Sequence, residues 1–275
     1  MGSLMERKLV ISTVVDENYQ YYIPLFVLCL STNYPEYDIK LFTHGVIKPE
    51  VKKAIQIAGG NCELIPGVFD GWKKHKYSPI SWRFLVPPKY YEGYEFVYIT
   101  DIDMMIIKEK VSLLKFHKFE MVESGLCYSN SLRNAKHWNG RKSLTGLHFF
   151  GRKWLVKTEK ARKHYAEMVK KGVRGAKREY DGNMLYKMAK MSGLKLPGKK
   201  SLIKRHHGIH LGGNYRLFSS KYKILKRIDR AKCKKWLKLK NTEEYKSIYK
   251  LISVDPTTKK QLKWLDVHCN RVTKI

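Results

Sequence analysis

The sequence predicts an α/β fold in which a mostly parallel central sheet carries helices on both faces and is followed by a basic helical C-terminal appendage. Two observations support this fold class. Short apolar segments rich in β-branched residues alternate with longer segments of helical periodicity, and such alternation is typical of βαβ units. The chain of 275 residues is also 43% apolar, which provides enough material for a sizeable core and argues against intrinsic disorder.

The N-terminal region is predicted to contain three strands separated by two helices. The second helix has proline in its first turn and two glycines after its end, which are common boundary signals. We expect these elements at Lys8–Val15 (strand), Tyr19–Thr32 (helix), Asp38–Thr43 (strand), Pro49–Ala58 (helix) and Cys62–Ile65 (strand). In such sheets ligands bind beyond the carboxyl ends of the strands, so the residues that follow each strand are the first candidates for a site.

The remaining elements are predicted from the same patterns, and the last fifty-odd residues are expected to be helical and basic. The segment Leu194–Tyr215 has no clear periodicity and is expected to be rich in loops. We expect the regular elements at Ser78–Val86 (short helix), Glu95–Ile107 (strongly apolar strand), Lys118–Glu123 (strand), Leu144–Phe150 (strand), Arg152–Lys171 (helix) and Tyr180–Ser192 (helix).

The chain is strongly basic, since 55 lysines and arginines against 24 acidic residues give a formal net charge of +31. This charge predicts attraction to polyanions such as membranes, nucleic acids or phosphorylated substrates. The excess is densest in Lys221–Lys240, which we interpret as one amphipathic helix with a basic face. That face is either simply solvated or docks on an anionic membrane. Nucleic acid ranks lower, because none of its common binding motifs is present.

The sequence contains no predicted membrane-spanning segment and no secretory signal. The longest apolar stretch, Tyr21–Leu30, is about half of the roughly 20 residues that a spanning helix needs, and the charged N-terminal residues run directly into the first strand. The five cysteines are far apart and contain no C-x-x-C pair, which predicts neither a disulfide framework nor a zinc site. We therefore expect a protein of the reducing cytoplasm, peripheral to the membrane if the basic helix docks there.

Two acidic residues interrupt the most apolar part of the chain. In Phe96–Ile107 the only charges are Asp101 and Asp103, and ionised carboxylates in such a run are costly to desolvate unless a cation compensates them. In an extended chain positions i and i+2 point the same way, so both carboxylates can converge on one ion. Oxygen ligands of this kind suit Mg²⁺ or Mn²⁺, which keep open positions for substrate phosphates.

Three other interpretations of the acid pair were weighed. The first is a tight Asp-rich turn between two strands, without function. A phosphatase of the haloacid dehalogenase type would place Thr or Val two residues after the second Asp, where this chain has Met105. A nucleotidyltransferase related to polymerase β would need a Gly-Ser turn before the acids, and Tyr90–Thr100 contains none.

At this point the sequence resembles the A-type-fold (GT-A) glycosyltransferases, which share the Rossmann-like nucleotide-diphospho-sugar transferase fold, and specifically glycosyltransferase family 8, which includes glycogenin and lipopolysaccharide galactosyltransferases. Four blocks carry the similarity, in order, between about Lys8 and Arg216. They are VISTVVDENYQYYIPLFVLCLST, SPISWRFLVPPKYYEGYEFVYITDIDMMI, the pair TGLHFFGRKWL and EYDGNML, and HLGGNYR at the end. Each block alone is weak evidence for the resemblance, which is supported mainly by the order and spacing of the four blocks.

The resemblance implies a metal site and a nucleotide-sugar site. Asp101, Asp103 and His210 would bind one Mn²⁺ or Mg²⁺ at the diphosphate of the donor, and neighbouring His206 or His207 is an alternative ligand to His210. It further implies cofactor-binding or catalytic roles for nine residues. Val14, Asp16 and Tyr19 would line the base pocket; Arg83 would reach the phosphates or the donor sugar; Ile102, Gly146 and Gly213 would line the donor site; Arg216 would hold the β-phosphate; and Asp181 would contact the sugar or acceptor.

Structural interpretations stay open for two of these residues. Arg83 could simply pair or cap on its helix, and Asp181 is also a favoured residue type at a helix N-terminus. The chain departs from the family at Gly182, where the family commonly has Gln, and at Thr145, where it commonly has Ser or Asn.

The resemblance implies a metal-dependent glycosyltransferase that moves a sugar from a nucleotide-sugar, with a UDP-sugar as the expected donor, to a glycan, lipid-linked or other acceptor. We expect a catalytic domain over residues 1–218 and a basic helical extension over residues 219–275. One alternative is a nucleotidyltransferase that makes activated sugars, although Val15–Asn18 contains none of the glycines of its phosphate-binding loop. The other is a basic nucleic-acid- or membrane-binding protein without catalysis, which would leave the acid pair unexplained.

Overall fold

The structure, a computed structural model, describes residues 7–72, 78–133, 142–172, 181–198, 207–212 and 228–274. Within these ranges the chain forms an α/β fold around a six-stranded sheet, as predicted. None of the helices in these ranges combines the length and the apolar character needed to cross a lipid bilayer.

The central sheet has the strand order β3-β2-β1-β4-β9-β6. The first four of these strands are parallel to one another, whereas β9 runs antiparallel to both β4 and β6. Two small antiparallel pairs, β5 with β10 and β7 with β8, lie outside it. The strands are β1 (Arg7–Asp16), β2 (Asp38–His44), β3 (Cys62–Pro66), β4 (Tyr94–Ile99), β5 (Met104–Met105), β6 (Tyr128–Ser129), β7 (Leu132–Arg133), β8 (Ser143–Leu144), β9 (His148–Gly151) and β10 (Ile209–His210).

The α-helices of the described ranges follow the strands along the chain. They are α1 (Ile23–Asn33), α2 (Pro49–Ala58), α3 (Ser78–Trp82), α4 (Leu113–Ser124), α5 (Arg152–Lys157), α6 (Glu159–Lys170), α7 (Asp181–Met191), α8 (Arg230–Lys240), α9 (Glu243–Ile252) and α10 (Pro256–Lys274). Short 3₁₀ turns occur at Gln20–Tyr22 and Pro88–Tyr91.

The prediction of a strand at Lys118–Glu123 is wrong, because this segment belongs to helix α4. Ser112 caps the helix by accepting a hydrogen bond from the backbone N–H of Lys115, and Gly125 ends it in the left-handed conformation at φ +64°. These boundary signals lie outside the six residues that were predicted as a strand. Since capping and C-terminal glycine stabilise helix ends, they decide the local structure.

Further elements have different boundaries from those predicted: the strand at Leu144–Phe150 is divided into β8 and β9, and the helix at Ser78–Val86 ends at Trp82. The apolar strand at Glu95–Ile107 ends at Ile99, and a turn separates it from β5. The helix at Arg152–Lys171 is divided at Thr158 into α5 and α6. Of the helix at Lys221–Lys240, residues 221–227, with Tyr222 and Leu225, lie outside the described residues. Within the described residues this helix, α8, begins at Arg230. Asp229 caps it by accepting a hydrogen bond from the N–H of Lys232.

Two buried clusters cover the two faces of the sheet, and strand β1 alternates between them. Leu9 and Ile11 belong to the first cluster, and Val10 and Val14 belong to the second. The first cluster contains α1 and also the buried faces of the C-terminal helices, including Trp236, Ile248 and Leu265 among others. The C-terminal segment therefore contributes to the same hydrophobic core as the first two βα units, with α9 packed on α2 and α1.

Candidate metal centre

The acid pair lies at the carboxyl edge of the parallel strands. Strand β4 ends beside β1, where the N–H of Thr100 donates to the carbonyl of Ser12 at 3.1 Å. The chain then turns, and the N–H of Met104 donates to the carbonyl of Asp101 at 3.2 Å. Asp101 and Asp103 are therefore in a turn and not in an extended strand, so the turn, and not strand alternation, brings the two carboxylates together.

A second segment brings His210 to this turn. Strand β10 pairs with β5, with His210 opposite Met104, and the N–H of Leu211 donates to the carbonyl of Asp103 at 2.9 Å. The close approach depends on Gly208, whose φ is +126°. A Cβ there would lie 1.9 Å from the carbonyl oxygen of Met105, which no side chain can tolerate. The glycine thus permits the backbone contact that places the imidazole.

The three side chains form one cluster. Nε2 of His210 lies 3.1 Å from Oδ1 of Asp103 and 3.9 Å from Oδ2 of Asp101. One potential ligand atom from each residue lies within 4.8 Å of the others, and within the described ranges no other group of histidine, cysteine or acidic residues meets this condition. Two carboxylates and one imidazole on partly exposed residues fit Mn²⁺ or Mg²⁺, with room for further oxygen ligands.

The described alternative ligand, His207, points to a different environment. It is buried, and its ring packs 5.0 Å from Phe116 and 5.6 Å from His117 between centroids. Its imidazole is therefore part of an aromatic cluster under α4, while His210 faces the acid pair. His206 lies outside the described residues.

Arg83 is the basic partner of the acid pair. It follows α3, is buried, and donates from Nη1 to the carboxylate of Asp101 and, at 3.1 Å, to the carbonyl of Thr100. Burial alone would raise the pKa of Asp101, but the charges of Arg83, His210 and Arg133, together with the hydrogen bond from Arg83, lower it to about 2. Asp101 is consequently ionised at neutral pH and available as a ligand.

Two residues beside Asp103 were not identified from the sequence. The hydroxyl of Tyr22 donates to Oε1 of Gln261 at 3.0 Å, and Nε2 of Gln261 lies 3.8 Å from the Cβ position of Gly212. The N–H of Gly212 in turn donates to Oδ2 of Asp103 at 3.2 Å. Gln261 belongs to the buried face of α10. The only sequence signal for it is that a polar residue lies among the leucines on this apolar face.

Arg133 is a third residue that the sequence did not indicate. Its charge contributes to lowering the pKa of Asp101, so a second guanidinium acts on the acid pair beside Arg83. Arg133 forms β7 with Leu132, in a segment without any recognisable motif.

The residues predicted for the base pocket lie at the end of β1. Asp16 accepts hydrogen bonds from the N–H of Asn18 at 3.1 Å and from Nδ2 of Asn18 at 3.4 Å, so its carboxylate shapes the turn. Val14 is buried in the second cluster. Tyr19 is 45% exposed, and its ring stacks on Tyr22 at 6.0 Å. This stack links the predicted base pocket to the side of the acid pair.

The remaining predicted residues have varied positions. Ile102 is buried in the first cluster within the acidic turn, and Gly146 is buried in the loop between β8 and β9. Asp181 begins α7, which packs on β8, and its side chain is outside the described part. Gly182 lies so close to β8 that a Cβ would come within 2.1 Å of the carbonyl oxygen of Leu144. Gly213 and Arg216 lie outside the described residues.

The structure thus combines a mostly parallel six-stranded sheet with an acidic turn and a histidine at the carboxyl edge of its parallel strands. No family profile and no curated protein sequence matches the chain. Among solved structures, the glycosyltransferase GlyE of Streptococcus pneumoniae TIGR4 superposes with a TM-score of 0.53 at 13% identity. The match covers 90% of this chain and 63% of the GlyE chain, so this chain corresponds to less than two thirds of GlyE.

Two further solved structures complete the comparison. The apo form of GlyE superposes with a TM-score of 0.50 at 13% identity over 90% of this chain and 63% of that chain. The galactosyltransferase LgtC, in complex with donor and acceptor sugar analogues, superposes with a TM-score of 0.44 at 17% identity over 64% and 69% of the two chains. The similarity to GlyE establishes that this chain has the GT-A fold.

Proposed function

We propose that the chain is a metal-dependent glycosyltransferase that transfers a sugar from a nucleotide-diphosphate-sugar, with a UDP-sugar as the expected donor, to a glycan, lipid-linked or other acceptor. The observation that supports this proposal most strongly is the convergence of Asp101, Asp103 and His210 at the carboxyl edge of a parallel sheet with the GT-A fold. This edge is where α/β sheets bind nucleotides.

The same residues suggest how the reaction is assisted. A divalent ion held by Asp101, Asp103 and His210 would supply Lewis-acid stabilisation to the leaving nucleoside diphosphate. Arg83 keeps Asp101 ionised and oriented toward the cluster. The exposed ring of Tyr19, stacked on Tyr22, offers an apolar face to a nucleotide base. Arg216, which follows the His210 loop in the sequence, is proposed to hold the β-phosphate, because a guanidinium binds two phosphate oxygens at once.

The experiment that tests the function is a screen for Mn²⁺-dependent hydrolysis and transfer across UDP-, GDP- and dTDP-sugars. We expect turnover of at least one donor that stops in excess EDTA and returns with Mn²⁺ or Mg²⁺. Turnover that persists in EDTA would contradict the proposal. Release of pyrophosphate from a nucleoside triphosphate and a sugar phosphate would instead indicate a nucleotidyltransferase.

The basic C-terminal segment is proposed to contact an anionic membrane surface. In α8 Cys233, Trp236 and Leu239 are buried, whereas Lys234, Lys235 and Lys238 are exposed, so one face of this helix is basic. Flotation with vesicles tests this: binding should rise with the content of anionic lipid and fall with salt. Vesicle binding that does not depend on lipid charge would contradict the proposed membrane contact. We also propose that the enzyme is cytoplasmic, which is supported by its five free cysteines.

A further inference from the structure

A small cavity adjoins Arg83 on the side of the second cluster. Its lining includes the polar side chains of Arg83, His148 and Arg162, the hydroxyl-bearing Tyr91, and the largely apolar Trp154 and Leu185. The cavity has a volume of about 10 Å³, which is enough for one water molecule or one small ion. Among the described residues, no carboxylate lines the cavity.

The hydrogen-bond network fixes the tautomer of His148. Oδ1 of Asn130 accepts from the N–H groups of Ser131 and Thr145 and from the hydroxyl of Thr145, at 2.7–2.8 Å. The amide nitrogen of Asn130 therefore donates, and it lies 3.0 Å from Nδ1 of His148. Since Nδ1 accepts, the neutral imidazole carries its hydrogen on Nε2.

His148 thus presents an unused donor. The residue is 0% exposed, and its Nε2 has no hydrogen-bond partner within the described ranges. Burial lowers the pKa of His148 to about 3, so the ring is neutral and Nε2 acts only as an N–H donor. A buried donor without an acceptor is costly, and the adjoining cavity is where an acceptor can sit.

Arg162 adds a buried positive charge that no carboxylate contacts within the described chain, although the exposed Glu159 acts on it at longer range. It is 4% exposed, and its Nη2 donates to the carbonyl of Leu155 at 3.3 Å. Within the described chain it has no carboxylate within 4.0 Å, and the nearby Glu159 pairs with Lys163 at 2.7 Å. A buried charge without a counterion is strongly unfavourable. Arg83, by contrast, already has Asp101 as its partner.

We propose that this cavity binds a single chloride ion. Its lining includes two arginines and one histidine, whose side chains carry N–H donors, and Arg162 has no carboxylate in contact within the described chain. A monatomic anion accepts several hydrogen bonds at once and supplies the missing negative charge. Phosphate, sulfate and carboxylates are excluded by the size of the space. A water molecule fits but would leave the charge of Arg162 uncompensated.

The proposal predicts that chloride stabilises the fold independently of any donor substrate. Thermal unfolding of the full chain would be followed in sodium chloride and in sodium gluconate at equal ionic strength, because gluconate is too large to enter. We expect the melting temperature to rise with chloride along a saturating curve, as for any ligand that binds only the native state. Equal melting temperatures in the two salts would overturn the proposal.

Variants identify the residues involved. Arg162→Met, which removes the charge but keeps a long apolar side chain, should abolish the difference between chloride and gluconate. Arg271→Met, which removes an exposed charge on α10, should keep it. A chloride response that survives in Arg162→Met would show that the ion binds elsewhere and would overturn the assignment.

Crystallography provides a measurement that does not depend on a folded variant. Crystals of the unaltered chain soaked in sodium bromide should give an anomalous peak in the cavity between Arg162 and His148. Density for a water molecule without an anomalous peak would overturn the proposal, even if Arg162→Met failed to fold.

Discussion

The hydroxyl of Tyr22, just before α1, donates a hydrogen bond of 3.0 Å to the side chain of Gln261 in α10. This contact joins the first βα unit to the C-terminal helix next to Asp103. Burial raises the pKa of Tyr22 above its ordinary value, and the charge of Asp103 raises it further. The helical segment after residue 228 therefore lies beside the candidate metal centre and is more than an attachment to the sheet.

We predict that Tyr22→Phe weakens Mn²⁺ binding about tenfold, the lower end of what loss of an outer hydrogen bond costs a metal site. The reason is that Gln261 loses its partner beside Gly212 and Asp103. Isothermal titration of Mn²⁺ with UDP present measures this. Tyr94→Phe is the control, because it also loses a hydroxyl–side-chain bond, to Asp38 at 2.8 Å, at the opposite edge of the sheet. Equal effects of the two variants would argue against a positioning role.

Asp103→Ala should abolish metal-dependent turnover by several orders of magnitude while the fold survives. Removing one of two adjacent acids relieves their repulsion in the metal-free protein, which offsets the loss of the hydrogen bond from Gly212, so the variant should still fold. Activity and circular dichroism would be measured together. The matched control is Asp70→Ala, an exposed acid in the loop after β3. An unfolded Asp103→Ala variant would favour a purely structural acidic turn.

Gly208→Ala should disrupt the site by displacing His210. A Cβ at this position would lie 1.9 Å from the carbonyl of Met105, so β10 must separate from β5. We expect Mn²⁺ affinity to fall by at least about tenfold. Gly193→Ala also introduces a side chain at positive φ, but with no atom within 4 Å, and its affinity should be unchanged. Retained Mn²⁺ affinity in Gly208→Ala would mean that the pairing of β10 with β5 does not determine the position of the His210 imidazole.

Stability should fall as the pH drops from about 6.5 toward 4. Burial lowers the pKa of His148 to about 3 and that of His117 well below its usual value, whereas both take up protons near pH 6.5 when unfolded. The unfolded state therefore binds more protons in this window. Through these two groups the free energy of unfolding falls by roughly 2–3 kcal/mol for each pH unit. Above pH 6.5 this contribution to stability is complete.

The check is urea unfolding at pH 7.5, 5.5 and 4.5 in sodium gluconate, because a chloride ion beside His148 would favour the protonated ring. His148→Gln should reduce the dependence on pH, whatever its absolute stability, and His164→Gln, at an exposed position of α6, should leave it unchanged. If the free energy of unfolding depended on pH equally in the unaltered chain and in His148→Gln, the His148 imidazole would not be a cause of the pH dependence.

Local signals in the sequence predicted much of the fold but not its long-range contacts. Helix α2 was predicted at Pro49–Ala58, where it is observed, because its proline and the following glycine are adjacent to it. The acidic turn was recognisable because its two charges interrupt an apolar run. The contact of Tyr22 with Gln261 depends on how α10 packs, which no local pattern encodes. The same holds for Arg162 and His148, whose shared cavity forms only when β9 and α6 come together.

Helix α1 also has a consequence for how the chain is made. All residues from Ile23 to Leu30 are buried, and α9 supplies part of their cover. During synthesis these residues leave the ribosome long before Glu243, so the nascent chain presents an apolar helix that is only partly covered until α9 emerges. Such exposed surface is prone to aggregation. A chain interrupted before α9 should therefore depend on a chaperone and be removed by proteases, whatever the state of its acidic turn.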